Sequence, residues 1–232
     1  MNHREVRLLP APLITGFVDL VSPVAEWLVR LRVRPNTVTS TSAIVVIGAG
    51  AAFGLDLPRL GAVWLLLSGL LDILDGRGAR RGGMVSAFGG FFDSTLDRIG
   101  EAFLYAGIAI YFQTAPDQAA PVLGVLAGLV TLTGSFLVSY TRARAEGLGI
   151  ECRVGLAQRP ERILGVGVPT LFFGAGPHGI LLLVIVCLLA VVSWITVAQR
   201  VAHVFQVSNG RADDAPAAPP APDAGGSPSK GL

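Results

Sequence analysis

The stretch LLDILDGRGARRGGMVSAFGGFFDSTLDR, residues Leu70 to Arg98, sets four carboxylates at the seams of long apolar runs: Asp72, Asp75, Asp93 and Asp97. The surroundings are those of a membrane protein. Of 232 residues, 52% are hydrophobic and only 15% charged, and the mean hydropathy is +0.62. Apolar runs of about 20 residues, the length that crosses a hydrocarbon core, recur along the chain. They are continuous rather than alternating, which argues against a β-barrel and for an all-α integral membrane protein. No apolar core with a small-residue cleavage site precedes Val33, so no cleavable signal peptide is expected.

The spans follow from charge-free length. Pro35 to Leu55 makes a first span; a second lies near Leu60 to Arg80, a third near Ala87 to Phe112 and a fourth near Gln118 to Thr141. Ile163 to Gln199 carries no formal charge and is too long for one helix, so GAGPHG (Gly174 to Gly179) is read as the turn between a fifth and a sixth span. Thr15 to Leu31, apolar with Asp19, Glu26 and Arg30 interspersed, reads as an amphipathic helix lying at the interface. The expectation is therefore six transmembrane helices preceded by an interfacial amphipathic helix. It divides the chain into a cytoplasmic N-terminus (1–34), a six-helix membrane domain (35–206) and a disordered Pro/Ala/Gly-rich cytoplasmic tail (207–232).

Basic residues give the sidedness. Arg4, Arg7, Arg30, Arg32 and Arg34 precede span 1, Arg77, Arg80 and Arg81 lie between spans 2 and 3, and Arg142, Arg144, Arg153, Arg159 and Arg162 lie around the connection of spans 4 and 5. Arg200, Arg211 and Lys230 close the chain, and on the opposite side only Arg59 is basic. The positive-inside rule makes the basic side cytoplasmic.

That side is also where the aspartates fall. Leu60 to Leu71 is too short to span, so the helix must run on through Asp72 and Asp75; Ala102 to Pro116 is also short, so span 3 must include Asp93 and Asp97. The i, i+3 and i, i+4 spacings put each pair on one helix face, and two consecutive antiparallel helices bring the pairs to face one another. Four such carboxylates repel, and a charge at the bilayer centre costs about 2.5–3.5 kcal/mol. One or two divalent cations would neutralise them, and an all-oxygen ligand set suits Mg²⁺ or Mn²⁺. The bland alternative is pairing with Arg77, Arg80, Arg81 and Arg98. Gly76, Gly82, Gly83, Gly89 and Gly90 keep the connector small, and Ser86 is placed to cap span 3 and leave backbone N–H groups facing an anion. Together these describe a pyrophosphate site at the cytoplasmic surface.

Written as Asp72-x2-Asp75-Gly76-x2-Ala79-Arg80-x8-Gly89-x3-Asp93-x3-Asp97, the stretch resembles the signature of the CDP-alcohol phosphotransferase family at every fixed position. The resemblance covers about residues 15–205. It implies transfer of a phosphate-linked alcohol from a CDP carrier to an acceptor hydroxyl, with release of CMP. It also implies two metal ions, one on Asp72, Asp75 and Asp93 and one on Asp72, Asp93 and Asp97, with Asp97 the catalytic base. Gly76, Arg80 and Ser86 would contact the CDP moiety. The segment PNTVT (Pro35 to Thr39) resembles the nucleotide-contacting segment of the family, which adds Asn36, Thr37, Val38 and Thr39 to the CDP-diacylglycerol site. A homodimer in the bacterial inner membrane, its site facing the cytoplasm, is the family expectation.

The acceptor is read from a second stretch, SYTRARAEGLGIECRVGLAQRPERIL (Ser139 to Leu164). Span 5 needs residues ahead of Ile163, which draws Arg159 and Arg162 toward membrane depth with Pro160 in a first-turn position. Converging arginines suit an anionic acceptor read through its phosphate; each also serves as a positive-inside marker or a lipid-headgroup contact. With the terminal Gln199-Arg200 pair, this stretch resembles the bacterial phosphatidylinositol phosphate synthases within the family. Those join CDP-diacylglycerol to inositol 1-phosphate, and the resemblance assigns Arg142, Arg162 and Arg200 to the acceptor phosphate. It departs at Arg142, where those synthases carry Lys, a point charge rather than a planar fork. Glycerol 3-phosphate or another polyol is the alternative acceptor.

Other classes fit less well. A cation transporter needs polar residues through the whole bilayer, and the outer halves of these spans are nearly featureless. A non-enzymatic scaffold has no use for four intact acids and Arg80. Cys152 and Cys187 make neither a disulfide framework nor a zinc site, the three histidines are scattered, and no feature points to nucleic acid.

Overall fold

A computed structural model of the chain describes residues 35–81, 86–152, 154–156 and 159–213. Among these residues the regular structure is entirely helical. Six long helices occur: α1 (Pro35–Gly54), α2 (Pro58–Arg81), α3 (Ala87–Thr114), α4 (Pro121–Gly147), α5 (Arg159–Phe173) and α6 (Ile180–Asp213), with a 3-10 turn at Pro177–Gly179 ahead of α6. The expected interfacial helix lies outside the described residues. Helix α6 continues past Gln206, where the membrane domain was expected to end, as far as Asp213.

Proline and positive-φ residues mark the boundaries. Pro35, Pro58 and Pro121 each open a helix, where the missing N–H would have no intrahelical partner. Helix α1 closes through Asp56 at φ 60, which lets the Leu57 amide reach back to the Ala52 carbonyl at 2.9 Å. The GAGPHG segment separates α5 from α6 with Gly174 and Gly176 both at positive φ.

Helix α1 packs against α2 and α3, α3 against α4, α4 against α6, and α2 against α5; a smaller α5–α6 contact closes the ring. The α1–α3 seam is the tightest. Gly50 and Gly107 meet backbone to backbone there, and a Cβ on Gly107 would overlap the Gly50 carbonyl.

The interior mixes large apolar side chains, among them Phe53, Leu65, Ile108, Phe112 and Leu182, with small hydroxyls, and large aliphatics also cover the outside. Ile44, Leu126, Val130, Leu188, Val191 and Phe172 are exposed, whereas Ser42, Ser68, Thr131, Ser135, Ser193 and Thr196 are buried. Small hydroxyls inside and large aliphatics outside suit helices whose surroundings are lipid. Three helices are long and apolar enough to cross a membrane, over Asn36–Gly54, Pro121–Gly147 and Pro177–Asn209. The remaining helices depart for physical reasons: α2 and α3 carry the acids, and α5, at 15 residues, is roughly 23 Å long.

Candidate active site

The chain's candidate residues gather at one end of the ring, where α1, α3 and α5 begin and α2, α4 and α6 end. Ser86 caps α3 as expected, its hydroxyl accepting from the Gly89 amide at 3.0 Å. Asn36, in the first turn of α1, reaches the same spot: its Oδ1 would lie 3.7 Å from a Cβ built on Gly89. Two residues proposed for the nucleotide, fifty positions apart in the chain, are thus neighbours. Thr37 is exposed beside Asn36, Val38 is half-buried and Thr39 is buried. Gly76 and Arg80 lie in the last turns of α2, and the side chains of Arg80 and Asp75 fall outside the described residues.

The acids converge across helices. Ser42 on α1 donates its hydroxyl to Asp72 Oδ1 at 2.5 Å and also approaches the Ser68 carbonyl at 3.2 Å. Asp72 Oδ2 then lies 2.6 Å from Arg159 Nη1, and Asp97 Oδ1 lies 2.5 Å from that same nitrogen. Carboxylates from α2 and α3 therefore close on a single point, and a cationic nitrogen from α5 marks it. Asp93, one turn before Asp97, is half-buried and within electrostatic reach of Arg159 and Arg98. Among the described residues, Arg159 is the cation that Asp72 and Asp97 share, and Arg98 stands 3.9 Å from Asp97.

This arrangement fits a hard divalent cation. Its donors are all oxygen, they belong to rigid helices, and Asp72 and Asp97 already share one cation. Among the described residues no set of three acidic, His or Cys side chains surrounds one point, so the structure shows the Asp72–Asp97 pair and not the full ligand sets.

A second ionic cluster lies one turn deeper. Glu101 continues the face of Asp93 and Asp97 at the same i, i+4 spacing and is only 6% exposed. Its Oε1 meets Arg162 Nη2 at 2.5 Å; its Oε2 meets Arg98 Nη1 at 2.7 Å and the Ser135 hydroxyl at 2.5 Å. Arg98 Nη1 also donates to the Ser139 hydroxyl at 2.5 Å, and Arg98 Nη2 stands 3.9 Å from Asp97 Oδ2. The cluster ties α3, α4 and α5 together. Glu101, Arg159 and Arg162 line one cleft with Val46, Leu65 and Tyr105. No motif singles out Glu101, although the 93–97–101 row signals it.

The three arginines expected at the acceptor phosphate have different surroundings. Arg162 is 4% exposed and bound to Glu101. Arg200, also 4% exposed, donates Nε to the Val154 carbonyl at 2.9 Å and Nη1 to the Val138 carbonyl. Arg142 is half-exposed and pairs with Glu146 at 2.8 Å. Arg142 and Arg162 are both close enough to Arg200 for their charges to be felt there. The structure brings the three to one region without a common ligand point.

Residues 32–208 match the model of the CDP-alcohol phosphatidyltransferase family. The chain belongs to that family. Among its relatives, an archaetidylinositol phosphate synthase of Methanothermobacter thermautotrophicus is 37% identical, over 84% of this chain and 92% of the relative. A phosphatidylinositol phosphate synthase of Cutibacterium acnes is 35% identical, over 82% of this chain and 94% of the relative. The fold is similar to crystal structures of the phosphatidylinositol phosphate synthase of Mycobacterium tuberculosis, both at 32% identity. One, in complex with manganese and citrate, gives a TM-score of 0.69 over 80% of this chain and 88% of that one. The other, with CDP-DAG bound, gives 0.68 over 81% and 94%.

Proposed function

We propose that this chain transfers the phosphatidyl group of CDP-diacylglycerol to inositol 1-phosphate, giving phosphatidylinositol phosphate and CMP. The observation that carries the reading is the convergence of Asp72 and Asp97 on one cationic point, in a family member whose relatives bear that activity in their names. Asp72, Asp75, Asp93 and Asp97 would hold two divalent ions, Mg²⁺ or Mn²⁺, which when bound supply positive charge against the pyrophosphate.

The chain's own residues account for the rest. Asn36, Thr37, Val38, Thr39, Gly76, Arg80 and Ser86 cradle the CDP end, and the adjacency of Asn36, Ser86 and Gly89 supports this. The acceptor hydroxyl oxygen bonds to the phosphorus bearing the diacylglycerol. The pyrophosphate P–O bond breaks, CMP leaves, and the hydroxyl proton passes to Asp97. Arg142, Arg162 and Arg200 read the acceptor phosphate, which their electrostatic proximity supports. The six helices each cross the bacterial inner membrane with the site at the cytoplasmic face, where the lipid tails of the donor stay in the bilayer, and the protein works as a homodimer.

The test is CMP release by purified chain with CDP-diacylglycerol and Mg²⁺ or Mn²⁺ across inositol 1-phosphate, glycerol 3-phosphate and free inositol. Inositol 1-phosphate is expected to be the preferred acceptor; preference for glycerol 3-phosphate would move the assignment to phosphatidylglycerol phosphate synthesis. The archaeal relative adds a CDP-activated archaetidyl lipid to the donor panel. Asp97→Asn is expected to lower kcat by about 10²–10⁴-fold in a folded protein. A scaffold or a transporter would release no CMP in any arm.

A further inference from the structure

We propose that Glu101 is the positioning residue for the acceptor phosphate: it fixes the guanidinium of Arg162 and, with Arg98, couples that arginine to the aspartate row. The proposal rests on the reading of Arg162 as an acceptor ligand and deepens it.

The row Asp93–Asp97–Glu101 divides between two partners. Asp97 turns to Arg159, at the point that fits a divalent cation. Glu101, about 6 Å further along the helix axis, has both oxygens committed to guanidinium and hydroxyl donors. It is an anion serving arginines, not a further ligand in the cation set.

A purely structural role accounts poorly for such a group. Removing a carboxylate and a guanidinium from water costs several kcal/mol per ion, and well-packed apolar residues commonly replace a buried pair at no loss of stability. What the pair supplies is orientation. An arginine side chain has many rotamers, and a carboxylate on one nitrogen of its planar fork selects among them. Ser135 locks the carboxylate in turn, from α4, and Arg98 fills the position between Asp97 and Glu101. Arg162, so held, lines the same cleft as Arg159. The acceptor's reacting hydroxyl is thus presented to Asp97 on α3 and its phosphate to Arg162 on α5, which the next turn of α3 holds through Glu101, so an error in Arg162 is felt as an error in acceptor binding.

The experiment is steady-state kinetics on the full-length protein and on Glu101→Gln, Arg162→Lys, the double variant and Ser135→Ala, with thermal midpoints recorded alongside. Glu101→Gln is expected to raise KM for the phosphorylated acceptor on the order of tenfold, the loss of one charge-assisted hydrogen bond. KM for CDP-diacylglycerol and kcat should each change less than about threefold, because the donor and base are held by other residues. The double variant should be no worse than Arg162→Lys alone. An unchanged acceptor KM in Glu101→Gln, or additive effects in the double variant, overturns the proposal. Should Glu101→Gln fail to fold, Ser135→Ala decides: a rise in acceptor KM of about threefold supports the proposal, and no rise overturns it. If the wild-type protein turns over no phosphorylated polyol, the underlying reading falls and this proposal with it, an outcome visible before any variant is made.

Discussion

Replacing Arg159 should make the protein bind divalent cations more tightly. One guanidinium nitrogen sits within 2.6 Å of Asp72 Oδ2 and 2.5 Å of Asp97 Oδ1, so a metal ion needing both carboxylates must displace it. The observed metal affinity is then the intrinsic one reduced by the fraction of molecules in which the guanidinium has moved away. A hydrogen bond to a charged partner contributes about 1.5–3 kcal/mol net. Counting one such bond, because the second offsets the desolvation of three charges, the closed state is favoured about 10–100-fold, at 1.4 kcal/mol per decade. Arg159→Gln should therefore lower the Kd for Mn²⁺ by about that factor. The assay is an electron paramagnetic resonance titration of free Mn²⁺ against protein in detergent, without lipid or acceptor, so it reads binding rather than turnover. Unchanged or weaker Mn²⁺ binding in a folded Arg159→Gln protein would refute the competition and with it the identification of this point as the cation site.

Two further perturbations probe the support around that point. Ser42→Ala removes the hydroxyl that holds Asp72 at 2.5 Å and should weaken Mn²⁺ binding about 10–100-fold, read by the same titration. Gly107→Ala places a methyl into the Gly50 carbonyl and should cost about 1–3 kcal/mol, lowering the thermal midpoint in detergent on the order of 5 °C. Gly147→Ala, where a Cβ meets nothing within 4 Å, should leave the midpoint in place and serves as its control.

What was legible beforehand is local. Helix starts at Pro35, Pro58 and Pro121 and the break at GAGPHG follow from backbone chemistry, and the helices found overlap the expected spans, with α4 and α6 running on to Gly147 and Asp213. The spacing puts each pair of acids on one helix face, but α2 and α3 each pack on α1, and Asp72 and Asp97 come together at Arg159 of α5. The rest depends on contacts between distant parts of the chain. Arg162 reaches Glu101 across 61 positions, and no periodicity in either segment names the other as partner. Arg159 was placed near membrane depth by span length alone, yet its role as the counter-ion of Asp72 and Asp97 appears only when α5 packs on α2. Glu101 shows a different failure. The charge-free stretch of span 3 begins at Ala102, so along the sequence the acid that ends the row at i+4 marks a boundary, whereas in the fold it is a buried hub. Arg142, Arg162 and Arg200 all mark the same side of the chain, but their individual partners, Glu146, Glu101 and two backbone carbonyls, cannot be read from charge alone.

The most direct test of the central claim is a ³¹P nuclear magnetic resonance time course of the purified protein with CDP-diacylglycerol, Mg²⁺ and inositol 1-phosphate. The pyrophosphate signals should disappear as CMP grows in stoichiometrically, together with a lipid carrying one phosphodiester and one phosphomonoester phosphorus. Persistence of the pyrophosphate signals, or conversion to CMP and phosphatidic acid alone with water as the acceptor, would contradict that claim.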